Sequence, residues 1–355
     1  LKPERLSYYV GEVRAAYSGH AADPAVSGNA ASGGFVTGLL SGMLRRGEID
    51  GALVARLEVA GGQLRARVEI ATDAEALRAA QGSIYFFFPV LTAETRQRLL
   101  DFPGRIAVVG LPCTIRALQA LLARDEALRA KVVLTVGLFC GHTSRPELID
   151  RVLRKKAVDP AELASFRFRQ GKWRGESAAI RQNGEVRRWP TAFYTLYQNL
   201  FILSHPACMN CTDHFAETAD VACGDIWLRA HRRDEVKHSM IACRTAAGAA
   251  AVERSVAAGE LLLKPETAET LFNANRRSCI FHKAIRARAR VGRWFGVAVA
   301  VPPDAPPARW NELLAALTVI PLYKYSIGPN GARLFRLPRR LLKLWLYFFK
   351  LLTQF

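Results

Sequence analysis

Four cysteines constrain this chain more than any other feature. Cys208 and Cys211 bracket a Cys-Met-Asn-Cys turn, while Cys113 and Cys140 each stand just past an apolar run, Arg105 to Gly110 and Val132 to Phe139. Both runs read as buried strands. Thr114 to Ala123 and Pro146 to Lys155 carry helical spacing, the second with proline in its first turn. Strand, helix, strand, helix predicts a parallel βαβ unit, in which groups beyond the carboxyl ends of neighbouring strands meet. The two single cysteines are therefore expected to be neighbours.

Four thiolates gathered in one place hold either an iron–sulfur cluster or a structural zinc. A zinc ribbon brings its ligands as two close pairs, whereas here one pair joins two single residues. That supply suits a cubane bridging two parts of the chain, although both metals accept four thiolates. Three cysteines remain. Cys243 lies inside an apolar run and reads as core, Cys279 follows an arginine pair, and Cys223 is near enough to the pair to replace one ligand. His142 reads either as a further ligand or, more simply, as a hydrogen-bonded turn histidine.

Half of the 355 residues are apolar, enough for two cores. Seven unevenly spaced cysteines do not make a disulfide scaffold, and Leu1 to Val10 has no signal-peptide run, which points to a reducing cytoplasm. The chain opens on Leu1 rather than methionine, as a chain lacking a short amino-terminal piece would. The expected class is mixed α/β. A βαβ-containing domain covers 1–157, a smaller antiparallel α/β portion with the Cys-x-x-Cys segment covers 158–300, a proline-rich linker 301–308, and a basic helical tail 309–355.

Within the first portion, Phe35 to Leu44 predicts an amphipathic helix with Ser32 as N-cap and Gly47 as its left-handed stop. Ser32-Gly33-Gly34 before that helix suits a phosphate, because glycines admit it to the backbone N–H groups at the positive end of the dipole. Gly51 to Ala71 predicts a hairpin turning at Gly61-Gly62, and Thr72 to Glu75 a capping box. Further on, Phe166 to Arg169, Ala178 to Ile180 and Val186 predict antiparallel strands. Arg167, Arg169, Lys172 and Arg174 flank their first turn as candidate anion ligands or as a solvated basic hairpin.

The formal charge is +19, yet no helix-turn-helix, zinc-finger or aromatic RNA-binding pattern accompanies it, so nucleic acid is not the expected partner. The excess concentrates in the tail. No acidic residue follows Glu312, while Lys324, Arg333, Arg336, Arg339, Arg340, Lys343 and Lys350 do. From Leu334 onward one polar stripe runs along an otherwise apolar helix. Charges at its centre argue against a bilayer span and leave two readings, an interfacial helix on the inner membrane surface or a helix docked on the protein or a subunit.

In their order, these pieces resemble the coenzyme F-420 hydrogenase/dehydrogenase beta-subunit family, which includes 7-hydroxymethyl chlorophyll a reductase. The resemblance runs from about Ala16 to Trp227. It rests on Ser32-Gly33-Gly34 with its helix, Gly82-Ser83-Ile84-Tyr85, Gly110-Leu-Pro-Cys113, Gly137-Leu-Phe-Cys140-Gly-His142, Phe166-Arg-Phe-Arg169, Cys208-Met-Asn-Cys211 and Gly224-Asp225-Ile-Trp227. It implies an oxidoreductase in which a [4Fe-4S] cluster on Cys113, Cys140, Cys208 and Cys211 exchanges electrons with FAD. The flavin is expected at Ser32, Gly33, Gly34, Gly82, Ser83 and Tyr85. Some relatives carry an amino-terminal ferredoxin segment, and no cysteine precedes Cys113 here, so an external carrier such as a ferredoxin is the expected electron partner. The small-molecule substrate, the use of coenzyme F-420 itself and self-association into a homo-oligomer stay open. The alternative, from the thiolate count alone, is a zinc-stabilised scaffold at a membrane, for instance in surface-polysaccharide assembly.

Overall fold

The computed structural model describes residues 2–354. Among them, strands β1 (Ala15–Ala21), β2 (Gly51–Ala60), β3 (Gln63–Ala71), β4 (Ile106–Gly110), β5 (Val132–Leu138), β6 (Leu163–Gln170), β7 (Glu176–Arg181), β8 (Val186–Pro190), β9 (Val221–Asp225), β10 (Ser239–Cys243) and β11 (Leu261–Glu266) form two sheets. The large sheet runs β11-β1-β10-β9-β5-β4-β2-β3, and the small one β6-β7-β8. At its centre β2, β4, β5 and β9 are parallel, and the remaining pairings of both sheets are antiparallel. The expected βαβ unit is present, with the helix Pro112–Leu122 between β4 and β5. Ile106, Ala107, Val108, Leu134 and Val136 are buried, as continuous apolar strands covered on both faces must be.

The order of strands departs from the order of segments. Strands β9, β10 and β11 arise beyond residue 158, yet they lie between β5 and β1 or beside β1. The boundary expected at 157/158 therefore does not divide the large sheet, and only the excursion through β6, β7 and β8 stands apart from it. Residues 301–308 contain no helix or strand. Arg286 donates to the carbonyls of Ala305 and Pro303, which ties this proline-rich stretch to the helix Ile285–Trp294.

The tail comprises the helices Trp310–Ser326 and Arg339–Leu352 with a short turn between them. Leu342, Leu346, Phe349 and Leu352 enter the same apolar cluster as Leu148, Phe168, Tyr197 and Phe281. The last helix is thus docked on the protein's own core. No helix among the described residues is long and apolar enough to cross a membrane.

Two caps differ from expectation. Ser32 does not cap the helix Phe35–Arg45. Its hydroxyl donates instead to the His238 carbonyl at 2.9 Å, and Gly34, at φ 77°, takes the N-cap position without a side-chain bond. The helix Ala74–Ala79 starts one residue later than the Thr72 box implies, because the Asp73 carboxylate accepts from Ala76 N–H. A carboxylate at the N-cap also faces the positive end of the dipole, which favours it over the threonine hydroxyl. The stop at Gly47 (φ 62°) and the hairpin turn at Gly61 and Gly62 (φ 57° and 67°) are as expected.

Candidate functional site

Cys113 and Cys140 meet because their strands are in register. Gly110 of β4 pairs with Gly137 of β5, and each cysteine follows its glycine by the same number of residues. Cys113 then falls in the first turn of the helix Pro112–Leu122, whereas Cys140 enters a loop held against the 211–219 segment. In that loop Cys140 N–H donates to the His214 carbonyl at 2.9 Å, and His214 Nδ1 returns a 2.9 Å bond to the Cys140 carbonyl. A Cβ at Gly137 would lie 2.2 Å from the Ala216 side chain, so only glycine lets that segment approach β5.

Cys208 and Cys211 occupy a tight turn on the same loop system. Thr143 N–H and hydroxyl approach the Cys208 sulfur at 3.4 and 3.5 Å, and the Cys211 thiol reaches the Asp213 carbonyl at 3.3 Å. From below, the fully buried Arg288 fills the turn. Its guanidinium donates to the carbonyls of Met209, Cys211 and His282 at 2.8, 2.8 and 2.7 Å, with a longer 3.3 Å bond to that of Cys208. Burial lowers the Arg288 pKa to about 10, while the nearby thiols oppose that fall.

The four thiols lie close enough to sense one another, Cys140 feeling Cys208, Cys211 and Cys113 together. Burial raises all four above the ordinary thiol value. Their sulfurs are nevertheless not in mutual contact, since no three of them lie within 4.8 Å of one another. Cys113 is the exposed member. Cys223, Cys243 and Cys279 stand elsewhere, the first two in the core of the large sheet and Cys279 donating to the Tyr9 carbonyl. His142 is a turn histidine. Its Nε2 bonds the Gln198 carbonyl at 2.7 Å, its ring stacks on Phe201 at 4.0 Å, and burial holds its pKa down to about 4.

The second group of expected residues lies beside the first. Ser144, two residues beyond His142, bonds the Tyr85 carbonyl through both N–H (3.2 Å) and hydroxyl (3.0 Å), and Phe87 N–H donates back to Ser144 at 2.7 Å. The Gly82–Tyr85 segment is therefore joined through Ser144 and Thr143 to the Cys208 sulfur. Gly82 holds φ 140°, a conformation glycine alone adopts easily. Gly33 is required for another reason, since a Cβ there would stand 2.5 Å from the Gly19 carbonyl oxygen and 2.7 Å from Ser239 N.

Between Gly33 and Tyr85 the structure collects cations. Arg169 is buried, pairs with Asp225, lies beside the Tyr85 hydroxyl and covers the Trp227 ring at 4.8 Å. Arg167 donates to the Asn29 carbonyl at 3.1 Å. Lys237 donates to that of Ala30 at 2.7 Å, and burial aided by Arg169 lowers its pKa to about 8. Two buried donors here have no partner, Arg169 Nε and Trp173 Nε1. Nearby, His231 Nδ1 hydrogen-bonds an Asp234 carboxylate oxygen at 2.7 Å, and His238 Nδ1 lies 3.0 Å from the same oxygen without completing a hydrogen bond.

Sequence reasoning missed Lys237, Arg288, Ser144 and His214. Only Arg288 left a usable signal: Ala284, Ala287, Arg288 and Val291 are all buried and share one helical face, so the basic run carried an apolar stripe.

Comparison with known proteins supplies the rest. Residues 16–93 match the family model for the amino terminus of the coenzyme F420 hydrogenase/dehydrogenase beta subunit, and residues 104–269 match the model for its carboxyl terminus. The chain is 28% identical over 198 residues to one component of the F(420)H(2) dehydrogenase of Methanosarcina mazei, covering 55% of this chain and 51% of that protein. It is 26% identical over 233 residues to the coenzyme F420-dependent sulfite reductase of Methanocaldococcus jannaschii, covering 59% and 34%. With the coenzyme F420 hydrogenase subunit beta of Methanothermobacter thermautotrophicus it shares 26% over 271 residues, 72% and 86% of the two chains. The first two relatives are thus spanned over about half their length or less. In fold it matches a chain of the F420-reducing [NiFe] hydrogenase complex from Methanosarcina barkeri, with TM-score 0.62, 20% identity and coverage of 83% and 98%.

Proposed function

Because the chain belongs to the coenzyme F420 hydrogenase/dehydrogenase beta-subunit family, we propose that it is an electron-transferring oxidoreductase holding a [4Fe-4S] cluster on Cys113, Cys140, Cys208 and Cys211 and FAD in the adjoining cleft. The observation that carries this is the short path between the two sites, from Cys208 through Thr143 and Ser144 to Tyr85. Four thiolates accept either iron or zinc, and membership of the coenzyme F420 hydrogenase/dehydrogenase beta-subunit family favours the iron–sulfur cluster.

The cleft fits an anionic cofactor. Arg167, Arg169 and Lys237 outnumber Asp225, two buried donors await acceptors, and the helix Phe35–Arg45 opens without a side-chain cap. Ser32, Gly33 and Gly34 would present backbone to a diphosphate, and Gly82, Ser83 and Tyr85 would line the isoalloxazine side. When bound, the cluster supplies single-electron steps and the flavin combines them into hydride equivalents. The chain's own residues orient both groups and exclude water between them. The exposed Cys113 side is where an external carrier such as a ferredoxin would exchange electrons.

Purification without oxygen, followed by a visible spectrum with iron, zinc and flavin analysis, tests this reading. Flavin bands over an iron–sulfur shoulder, with about four irons per chain as a cubane requires, are expected. Zinc without flavin would replace it with a zinc-held scaffold.

A further inference from the structure

The helix Arg339–Leu352 has two apolar faces, and the protein covers only one. Leu342, Leu346, Phe349 and Leu352 point into the core. Leu341, Leu344, Phe348 and Leu351 form a second line at spacings of three and four residues and stand 47%, 67%, 51% and 53% exposed. A docked helix normally shows a polar back. Here the remaining polar stripe, Arg340, Lys343 and Tyr347, lies along one edge of the exposed apolar line, as three- and four-residue spacing on a helix requires. Trp345, whose indole N–H donates to the Thr318 carbonyl at 2.8 Å, pins the helix to its neighbour Trp310–Ser326 and is itself 42% exposed.

The charge around this face has one sign. After Glu312 the sequence holds seven lysines and arginines and no acidic residue. Exposed aromatic and aliphatic groups flanked by arginine and lysine are what the headgroup and acyl boundary of an anionic bilayer accepts. A protein subunit covering this line would have to be apolar and acidic together. An acidic bilayer offers both properties at once and over any area.

We propose that the helix Arg339–Leu352 seats the protein on an anionic membrane surface, with Leu341, Leu344, Phe348 and Leu351 in the acyl boundary and the adjoining cations at the phosphates. The helix lies flat, because its opposite face is already held by the core. Deleting it would expose that core, so substitutions on the outward line are the proper probe.

The test is flotation of the full chain with vesicles of phosphatidylcholine alone or mixed with phosphatidylglycerol. At low salt, about ten-fold more protein should float with the anionic vesicles, and the difference should shrink as salt shortens the screening length. Leu344→Glu with Phe348→Glu should abolish flotation without changing the melting temperature or the visible spectrum, since neither side chain enters the core. Arg340→Gln with Lys343→Gln should lower it several-fold. Equal flotation with neutral and anionic vesicles would overturn the proposal, as would an unaffected double glutamate variant. So would absence of flotation from a dimer that the glutamate variant dissociates, which would assign the face to a second copy.

Discussion

Lys237 is held where its charge is costly, and that cost has a readable sign. Burial lowers its pKa to about 8, so between about pH 8 and the ordinary lysine value the unfolded chain binds the extra proton and folding stability rises with pH. Binding of an anion has the opposite slope. Only the protonated amine attracts it, so affinity should fall above about pH 8 by up to about ten-fold per unit. Flavin release followed by fluorescence should show this slope in the native protein and none in Lys237→Met, whose affinity at neutral pH should drop at least about ten-fold. Arg288 makes a different prediction. Arg288→Leu leaves three close carbonyl acceptors without a donor and should cost about 2–4 kcal/mol in denaturant titration, with faster loss of iron. Arg288→Lys, lacking the planar fork, should fall between the two. At this scale the cysteines were legible, because strand ends are marked by apolar runs. Lys237 was not, because a lone lysine in the polar stretch between β9 and β10 looks like any solvated one.

Elements were legible where local chemistry decides them and misread where a distant group intervenes. The hairpin of β2 and β3 follows from two glycines at positive φ, and the parallel unit from two apolar runs around an amphipathic helix. Ser32 had the residue type of an N-cap, but the His238 carbonyl, far away in sequence, takes its hydroxyl. That loss leaves the helix Phe35–Arg45 open at its amino end, which is where the proposed diphosphate belongs. Gly33→Ala tests how tightly this turn is held. Its Cβ would meet the Gly19 and Ser239 backbones, so the turn must lift from β1 and β10 at a cost of about 2–4 kcal/mol. Urea denaturation should show the loss, and bound flavin should fall with it. Gly47→Ala, at positive φ (62°) but with open space around its Cβ, should cost only about 1 kcal/mol and leave the flavin in place.

For the whole molecule, the proposed cluster ties parts that are remote in sequence: the ends of β4 and β5, and a turn gripped by the helix Ile285–Trp294. Cys113→Ser should therefore abolish iron binding and lower the melting temperature by several degrees, while circular dichroism stays native because the residue is exposed and outside every apolar core. The tail is equally part of the whole. Its Phe349 ring contacts Phe201 and Phe281, and Phe201 carries His142, so the last helix backs the wall behind Cys140. The meeting of Cys113 with Cys140 and a docked tail were within reach of the sequence, but the placement of β9, β10 and β11 was not, since strand order is set by pairing between distant residues and periodicity reports only on neighbours. That pairing also sets a timetable. A ribosome releases β1 early, yet both its partners, β10 and β11, come after residue 238, and β5 waits for β9 on one side. Until those strands emerge the nascent chain carries three strand edges awaiting partners and no complete cleft, so loading of either proposed prosthetic group belongs after β9, β10 and β11 have paired, and the half-made sheet is the species a chaperone would meet.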